Sequence, residues 1–505
     1  MTKSPLLLTF LDVTKAYDKA WLDGILYNIF KRGVTGPTWN MIRKLNLELK
    51  ADIKTKHGLT REINIKDSIR QGGVLSVLLY SAMMDEIASA VSEKDIGITL
   101  PHTKKKIGCL LWMDDVVLLS DNEKEMQELL DITYSVAGKY HIEFGEEKSK
   151  TIIMNIPKHH MKFKLGQMEI AVTEQYKYLG EYITTKNDMS KQIKELKGKT
   201  EAALQTILSI AGDPMLKGIQ MGTIWKLLKT CIMPIILYGS ETWKLKKKEE
   251  KEINQILDNL LKRILMVPTS TPREVLYIET GLIEPSHMAI RNRITMFRRL
   301  QNSSNELIDS ILNIGTKSSW KEESLALILQ VRAEQTITEE SSHKAKRATL
   351  ECIKQAFKQK ITEGGKEKSK VKFLLEQRED WTPGKNTTYM DALNRKQCSL
   401  IFKARTRMLD VKNNFRSKYR DEICRGCGKE KETQQHILEE CTAIHDGQEQ
   451  VVKGADIFTE EITTLKNTAE KIDNIMAKIA MSERQEPQHT TGRNAQPGDL
   501  GQHST

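Results

Sequence analysis

The sequence predicts an α+β fold: a split βαβ sheet with helices on one face, then a long helical region, then a small Cys/His module. Three observations predict it. Residues 6–11 form an almost uniformly apolar run that ends on Asp12, as expected of a strand buried on both faces. Residues 110–113 and 116–119 are two further apolar runs around a bare pair of acids, Asp114 and Asp115, which predicts a hairpin with the acids at its turn. Apolar residues at helical spacing fill the intervals between these strands, and the order strand, helix, helix, hairpin, helix suits a split βαβ unit.

Taken in order, the first strand leads into Trp21, Leu22, Ile25, Leu26, Ile29 and Phe30 at helical spacing, with Gly33 as the stop. A second helix follows Gly36 and Pro37. Residues 51–69 predict a hairpin, with Ile53 and Thr55 alternating before His57 and Gly58, and Ile63 and Ile65 after them. Residues 70–77, a glycine-containing loop, lead into a helix with Leu75, Leu78, Leu79, Ala82, Met83 and Ile87 on one side. After the acidic hairpin, residues 120–123 look like a capping box that opens a helix through Met126, Leu129, Leu130 and Thr133.

Two adjacent carboxylates at a turn repel each other, and no packing role calls for them. A divalent metal removes the objection, because carboxylate oxygens are what Mg²⁺ prefers. Alone, such a pair is a surface turn. With Asp12 at the end of a buried strand, it becomes half of a site for two-metal phosphoryl transfer.

Here the chain resembles the palm of a reverse transcriptase of the non-LTR (LINE-type) retrotransposon group. Residues 10–18, Phe-Leu-Asp-Val-Thr-Lys-Ala-Tyr-Asp, resemble the first palm motif, residues 70–76 the second and residues 113–115, Met-Asp-Asp, the third. Residues 148–150 resemble the fourth, and 178–180 the strand that grips the primer. Fainter likeness continues through residues 237–243 and 267–272. The resemblance implies a right-hand polymerase palm over 1–185, with Asp12, Asp114 and Asp115 as catalytic acids holding two Mg²⁺ ions. It further implies that Tyr17 is a steric gate against a ribose 2′-hydroxyl and that Gln71 and Gly72 lie against the incoming nucleotide. Lys148 would assist departure of pyrophosphate. The partners implied are an RNA template, a DNA primer or target, and deoxynucleoside triphosphates. This chain departs from the group at Val74 and Val77, where proline is usual, and at Trp112 and Met113, where an aromatic-Ala pair is usual. The group also places a fingers region before the first catalytic acid, so this chain is expected to polymerise weakly or not at all by itself. The alternative is a catalytically inactive fragment that binds nucleic acid through basic helices and a zinc module.

Residues 186–310 are predicted to be helical, since Ile253, Ile256, Leu257, Leu260, Leu261 and Ile264 keep one face, and the resemblance implies that this region is the thumb. The charge run at 244–252 fits a solvated helix start. Thr271, Pro272 and Glu274 predict a capped helix start. Residues 311–390 are expected to form polar helices of a connection, with 364–370 as a flexible basic linker.

Cys424, Cys427, His436 and Cys441 then have the ligand types and spacing of a closed tetrahedral zinc site, with His445 as a possible substitute for His436. Gly426 and Gly428 would allow the tight turn between the first two sulfurs. A similar cluster, with Glu432 and Thr433 before the histidine, occurs at the C-terminal end of many LINE-type proteins. Within 391–446, Arg395, Lys396, Lys403, Arg405, Arg407, Arg416, Lys418 and Arg420 interleave with Phe402, Phe415 and Tyr419. That pattern predicts a nucleic-acid groove. Residues 447–481 are predicted to be a helical tail and 482–505 disordered.

Lys and Arg outnumber Asp and Glu by 78 to 67, a net charge of +11 that favours a polyanionic partner. Seven cysteines at irregular spacing do not make a disulfide framework, and no apolar run approaches a membrane span. An intracellular, nuclear protein with no membrane partner is expected.

Overall fold

The structure, a computed structural model, describes residues 5–47, 49–65, 68–100, 105–156, 161–212, 219–313, 319–445 and 451–485. The chain divides into two compact units. One comprises Met1–Gln192 with Phe297–Leu325, and the other Ile193–Met296 with Ala326–Thr505.

The first unit is built on β1 (Leu6–Asp12), α1 (Leu22–Lys31), α2 (Gly36–Asn46), α3 (Ser76–Ser92), β2 (Cys109–Trp112), β3 (Asp115–Ser120), α4 (Glu123–Lys139), β4 (Lys150–Met154), β5 (Phe163–Leu165) and β6 (Met168–Thr173). The six strands form one sheet in the order β5-β6-β4-β1-β3-β2, so the strand that ends on Asp12 is central. It pairs antiparallel with both β3 and β4.

Strand alternation sorts the side chains of β1 into two layers. Leu7 and Leu11 join Val116, Leu118 and Ile153 under the helices, against Ile25, Met83, Ile87 and Leu129. Thr9, also on this side, shares a hydrogen bond with Thr151 at 2.8 Å and donates to the Met126 sulfur at 3.1 Å. Leu8 and Phe10 face the other way, with Val117 and Ile152. That second face is covered by a small hairpin, β7 (Gln175–Tyr178) and β8 (Glu181–Thr184), whose Tyr176, Tyr178 and Ile183 pack onto it. Its two-residue turn puts Leu179 and Gly180 at φ +47° and +85°, the positive pair that a tight hairpin of native twist requires.

Several expectations shift by a residue or more. Helix α1 starts after Trp21. The 51–69 hairpin begins earlier, with Leu49–Ala51 against Ile63–Ile65, and turns at Lys56 and His57 inside the pair Thr55↔Gly58. Asn122, not Ser120, caps α4: its side chain accepts from Glu125 N at 2.9 Å, while Ser120 Oγ accepts from Asn122 N at 3.1 Å. Ser120 is the last residue of β3, so its backbone is committed to the sheet and the cap falls to the next suitable side chain.

The second unit is helical, led by Lys247–Ile264, Arg273–Thr280, Ser342–Gly365 and Ile462–Gln485. At the start of Lys247–Ile264, Glu249 Oε2 reaches back to accept from Lys246 N at 2.8 Å. The cap expected at Thr271 does not form; Pro272 precedes the helix, and Glu274 pairs with Lys368 at 2.8 Å instead. Nor is 364–370 a loose linker. One helix runs through Gly365 and the next, Ser369–Gln377, starts four residues later. A Cβ on Gly365 would stand 2.3 Å from Val371 Cγ1, so the glycine serves close packing of the two helices. The last helix continues to Gln485, past the expected onset of disorder; 486–505 lie outside the described residues. No described helix is long and apolar enough to cross a membrane.

This unit holds a buried ion cluster. Glu284, fully buried, accepts from Arg273 Nη2 at 2.6 Å and Ser286 Oγ at 3.1 Å, and meets His287 Nδ1 at 2.7 Å and the Lys360 ammonium. Burial pushes its carboxyl up, but His287, Arg273 and Lys360 outweigh that and hold it well below its ordinary 4.5. A carboxyl depressed in the folded state adds stability that is present above the unfolded value and lost as pH falls through the folded one. Glu284→Gln is therefore expected to lower stability near neutral pH by about 3–5 kcal/mol, the cost of breaking a buried charge cluster. The deficit should shrink below about pH 4. Denaturant titration across pH checks both the size and the sign.

Candidate active site and Cys/His cluster

The register of β1 against β3 places Asp12 directly opposite Asp115. Directly opposed residues share a face, and this one is the hairpin face, since Phe10↔Val117 lies two residues along. The apolar pattern enforces the register. A one-residue slip would turn Val116 and Leu118 away from the helices and Asp115 into them. The turn between β2 and β3 consists of Met113 and Asp114, not of the two acids, because Trp112 pairs with Asp115. Met113 sits in the left-handed region at φ +56°, a conformation that costs a non-glycine residue of order 1 kcal/mol. Asp114 thus escapes strand alternation and can join Asp12 and Asp115 from the turn. Burial, then the charges of Asp114 and Asp12, raise the Asp115 carboxyl above its ordinary value.

Tyrosines wall the acids on both sides. Phe10 stacks on Tyr176 with ring centroids 4.3 Å apart, and burial with the nearby Asp12 and Asp115 charges pushes the Tyr176 phenol up to about 12. On the other side, half-buried Tyr17 stacks on buried Tyr80 at 5.3 Å, and both phenols are raised by burial and by Asp114. Lys148 Nζ lies 3.4 Å from Asp12 Oδ2. Behind Asp12, its backbone N donates to buried Ser149 Oγ at 3.3 Å, and its carbonyl accepts from Gly145 N at 2.9 Å. A Cβ on Gly145 would come to 3.8 Å from Asp12 Oδ2. Sequence reasoning missed Tyr80, Tyr176, Gly145 and Ser149. Ser149 alone left a signal, as the middle residue of the motif read for Lys148.

Residues 1–183 match the family model described as reverse transcriptase (RNA-dependent DNA polymerase). They are a reverse transcriptase domain. Among curated relatives, the Pol polyprotein of type-1 retrotransposable element R2 from Popillia japonica is 24% identical over 53% of this chain and 37% of its own length. The RNA-directed DNA polymerase from mobile element jockey of Drosophila melanogaster is 23% identical over 51% of this chain and 28% of its own. The chain thus spans well under half the length of the relatives it matches. Among solved structures, telomerase from Candida tropicalis with a fragment of telomeric RNA aligns over 65% of this chain and 50% of that one, at 14% identity and a TM-score of 0.30.

Within the reverse transcriptase domain, the loop carrying Gln71 and Gly72 is anchored beside Tyr17, whose carbonyl accepts from Ile69 N at 3.0 Å. Gln71 and Gly72 are exposed, and Gly72 has φ +79° with open space where a Cβ would be. Its glycine is thus required by conformation. Val74 and Val77, the positions of departure from the group, are exposed on the same loop and helix start.

The second constellation also assembles. One ligand atom from each of Cys424, Cys427, His436 and Cys441 lies within 4.8 Å of every other. Cys424 Sγ and Cys441 Sγ are 3.7 Å apart, and Cys427 Sγ is 3.4 Å from His436 Nε2. Tetrahedral zinc with Zn–S near 2.3 Å sets two sulfurs about 3.8 Å apart, so the donor set fits such an ion. His445 is outside the cluster, its Nε2 3.0 Å from the Ile437 carbonyl oxygen. Gly428 has φ +63°, and a Cβ on Gly426 would stand 2.9 Å from Ile444 and 3.3 Å from Cys441 Sγ. The residues before the histidine hold the module together. Fully buried Glu432 accepts from Arg425 Nη2 at 2.6 Å, Arg425 N at 2.8 Å and Lys412 N at 2.9 Å, and Thr433 Oγ1 accepts from His436 N at 3.0 Å.

The cations expected to line a groove from 395 to 420 divide between the interior and the surface. Arg405 is fully buried; its Nε and Nη2 donate to the carbonyls of Ile457 and Thr459 at 2.9 Å, with Glu279 at 3.7 Å. Arg395 donates to the carbonyls of Ile264 and Arg263 at the end of helix Lys247–Ile264. Lys396 pairs with Asp473, Lys418 with Asp410 and Arg416 with Glu422, while Arg407 lies over the Phe373 ring. Phe402 is core. Arg395 and Arg405 are thus spent on carbonyls inside the unit, whereas Arg407, Arg416, Lys418 and Arg420 stay exposed. Arg405→Gln is accordingly expected to cost about 3–5 kcal/mol of stability. The salt dependence of any RNA binding should stay as it was, which a melt and a salt titration of binding together check.

Proposed function

We propose that the domain at 1–183 catalyses RNA-directed DNA synthesis, joining a deoxynucleotide to the 3′-hydroxyl of a DNA primer along an RNA template. The reading places the chain within a LINE-type retrotransposon polyprotein that works in the nucleus. The observation that carries it is the pairing of Asp12 with Asp115 across a central strand and its neighbour, with Asp114 in the adjoining turn. Asp12 and Asp115 on facing strands, with Asp114 next to them in the turn, offer the hard-oxygen donors that Mg²⁺ prefers. When bound, two such ions lower the barrier by stabilising charge on the attacking and leaving oxygens.

The chain's own residues do the rest. Asp12 and Asp115 hold their positions through the sheet, and Ser149 and Gly145 fix the backbone of Asp12 from behind. Lys148, exposed beside Asp12, can neutralise a departing pyrophosphate. Tyr17, braced by Tyr80, walls the position of the nucleotide sugar, and Gln71 and Gly72 line its approach. Tyr17→Val should therefore relax discrimination against ribonucleotides, on the order of 10–100-fold in the ratio of kcat/KM values. Single-nucleotide incorporation with each triphosphate measures it. In the second unit, Cys424, Cys427, His436 and Cys441 are proposed to hold one structural zinc.

Primer extension on an RNA template with Mg²⁺ and deoxynucleotides tests the main reading. Product that depends on Asp114 supports it. Because the chain is expected to polymerise weakly by itself, the assay is repeated with a fingers segment joined ahead of residue 1; tight RNA binding with no synthesis even then would overturn the reading in favour of a binding fragment.

A further inference from the structure

The helical unit contains a cavity of about 550 Å³ to which the foregoing chemistry assigns no role. Its apolar floor is Met233, Leu237, Leu282, Ile283, Met288 and Leu350. Local chain chemistry explains the opening. Pro234 has no N–H to give, and Met233 N donates five residues back to the Leu228 carbonyl, so the helix widens into a π turn over Leu228–Ile232. The opposite wall is set by backbone against backbone. Gly281, at φ +63°, would put a Cβ 2.1 Å from the Lys385 carbonyl oxygen, and Gly281 O accepts from Gly384 N at 2.6 Å. The cavity is therefore preformed.

Its rim is cationic. Lys354 pairs with Glu351 at 2.8 Å, but Lys229 reaches only the neutral Asn386 Oδ1 at 3.2 Å. Among the described residues no carboxylate pairs with Lys229 or Arg291. What the cavity lacks narrows the occupant further. It has no aromatic lining on which a nucleobase could stack, and its one amide, Asn292, donates to Ser240 Oγ at 2.8 Å. Methionine and branched aliphatic side chains under a positive rim suit an apolar side chain presented by an acidic helix, since methionine adapts its shape to such inserts.

We propose that this cavity docks an acidic amphipathic helix of a partner protein. One Leu, Met or Phe side chain fills the floor, and flanking carboxylates pair with Lys229 and Arg291. The test exposes the full chain to a displayed pool of helical peptides bearing Leu, Met or Phe at i and i+4 with Glu between. A matched pool with Lys in place of Glu, and a fluorescent single-stranded RNA, serve as comparisons. The acidic pool should be enriched, and a winning peptide should lose about tenfold or more in affinity against Lys229→Glu with Arg291→Glu. Leu350→Trp, which fills the cavity without changing charge, should also block it, with the thermal melt confirming that both variants fold. A photoreactive group at the peptide's apolar position should crosslink to Met233 or Met288. Equal enrichment of both pools, crosslinks elsewhere, or binding unchanged by both variants would overturn the proposal. So would RNA crosslinked inside the cavity, or a self-associated chain whose contact the peptide displaces.

Discussion

Asp114→Asn is expected to abolish RNA-templated synthesis, by on the order of a thousandfold or more, while leaving the fold intact. Metal-assisted stabilisation of transferring phosphoryl groups is worth several kcal/mol, and each 1.36 kcal/mol is about tenfold in rate. The fold should not suffer, because the carboxylate sits in a turn beside Asp115, whose own carboxyl is raised by burial and then by the charges of Asp114 and Asp12. Removing one charge relieves repulsion, so the melting temperature should hold or rise. Asp12→Asn should behave alike, since Asp12 closes the central strand on the same face. Primer extension and a thermal melt on the same preparations measure both halves. Loss of activity with loss of the melt would mean that the residue is structural, and full activity would remove Asp114 from the site.

Cys427→Ser in the full chain is expected to release the metal and loosen residues 412–445. Structural zinc in small modules contributes roughly 10–16 kcal/mol of apparent binding free energy at neutral pH, most of it coupled to folding. The cluster sits where the segment's buried polar ties meet. Cys424, Cys427 and Cys441 gather around one point, and the buried pair Arg425–Glu432 is the main polar link beside them. Metal analysis should find one zinc per chain and close to none in the variant. Limited proteolysis should then cut near the cluster while the first unit stays resistant. His445→Ala should keep its zinc, because His445 is bonded to the Ile437 carbonyl instead. Full zinc occupancy in the Cys427→Ser chain would remove the assignment.

Much of this was legible without coordinates because it depends on short-range pattern. An apolar run ending on an acid, helical spacing between strands, and Cys and His at ligand spacing are all local signals. They led to the strand with Asp12, to α1, α3 and α4, and to the four-residue cluster. Errors of local chemistry were small and came from competition among neighbours. Asn122 took the cap from Ser120, and Met113 took the turn from Asp115 because Asp115 is the residue that faces Asp12.

What the sequence could not show in the basic stretch is that Arg395 and Arg405 turn inward, and the cause is general. Charge density along a chain is visible in sequence, but what each charge faces depends on segments far away. Arg405 meets carbonyls at 457 and 459, and Arg395 meets those at 263 and 264. No spacing rule within 391–446 could have revealed those partners.

By itself, then, the sequence determined the residue types of the chemistry, the order of the elements and the apolar pattern that sets the sheet's register. Tertiary structure decided which face Asp12 and Asp115 share, that Tyr176 and Tyr80 wall them, that His436 rather than His445 joins the cysteines, and that Arg395 and Arg405 turn inward. The physical reason is the range of the forces involved. Periodicity and propensity act within a few residues, whereas cross-strand pairing, burial of charge and ligand geometry are fixed only when distant segments meet.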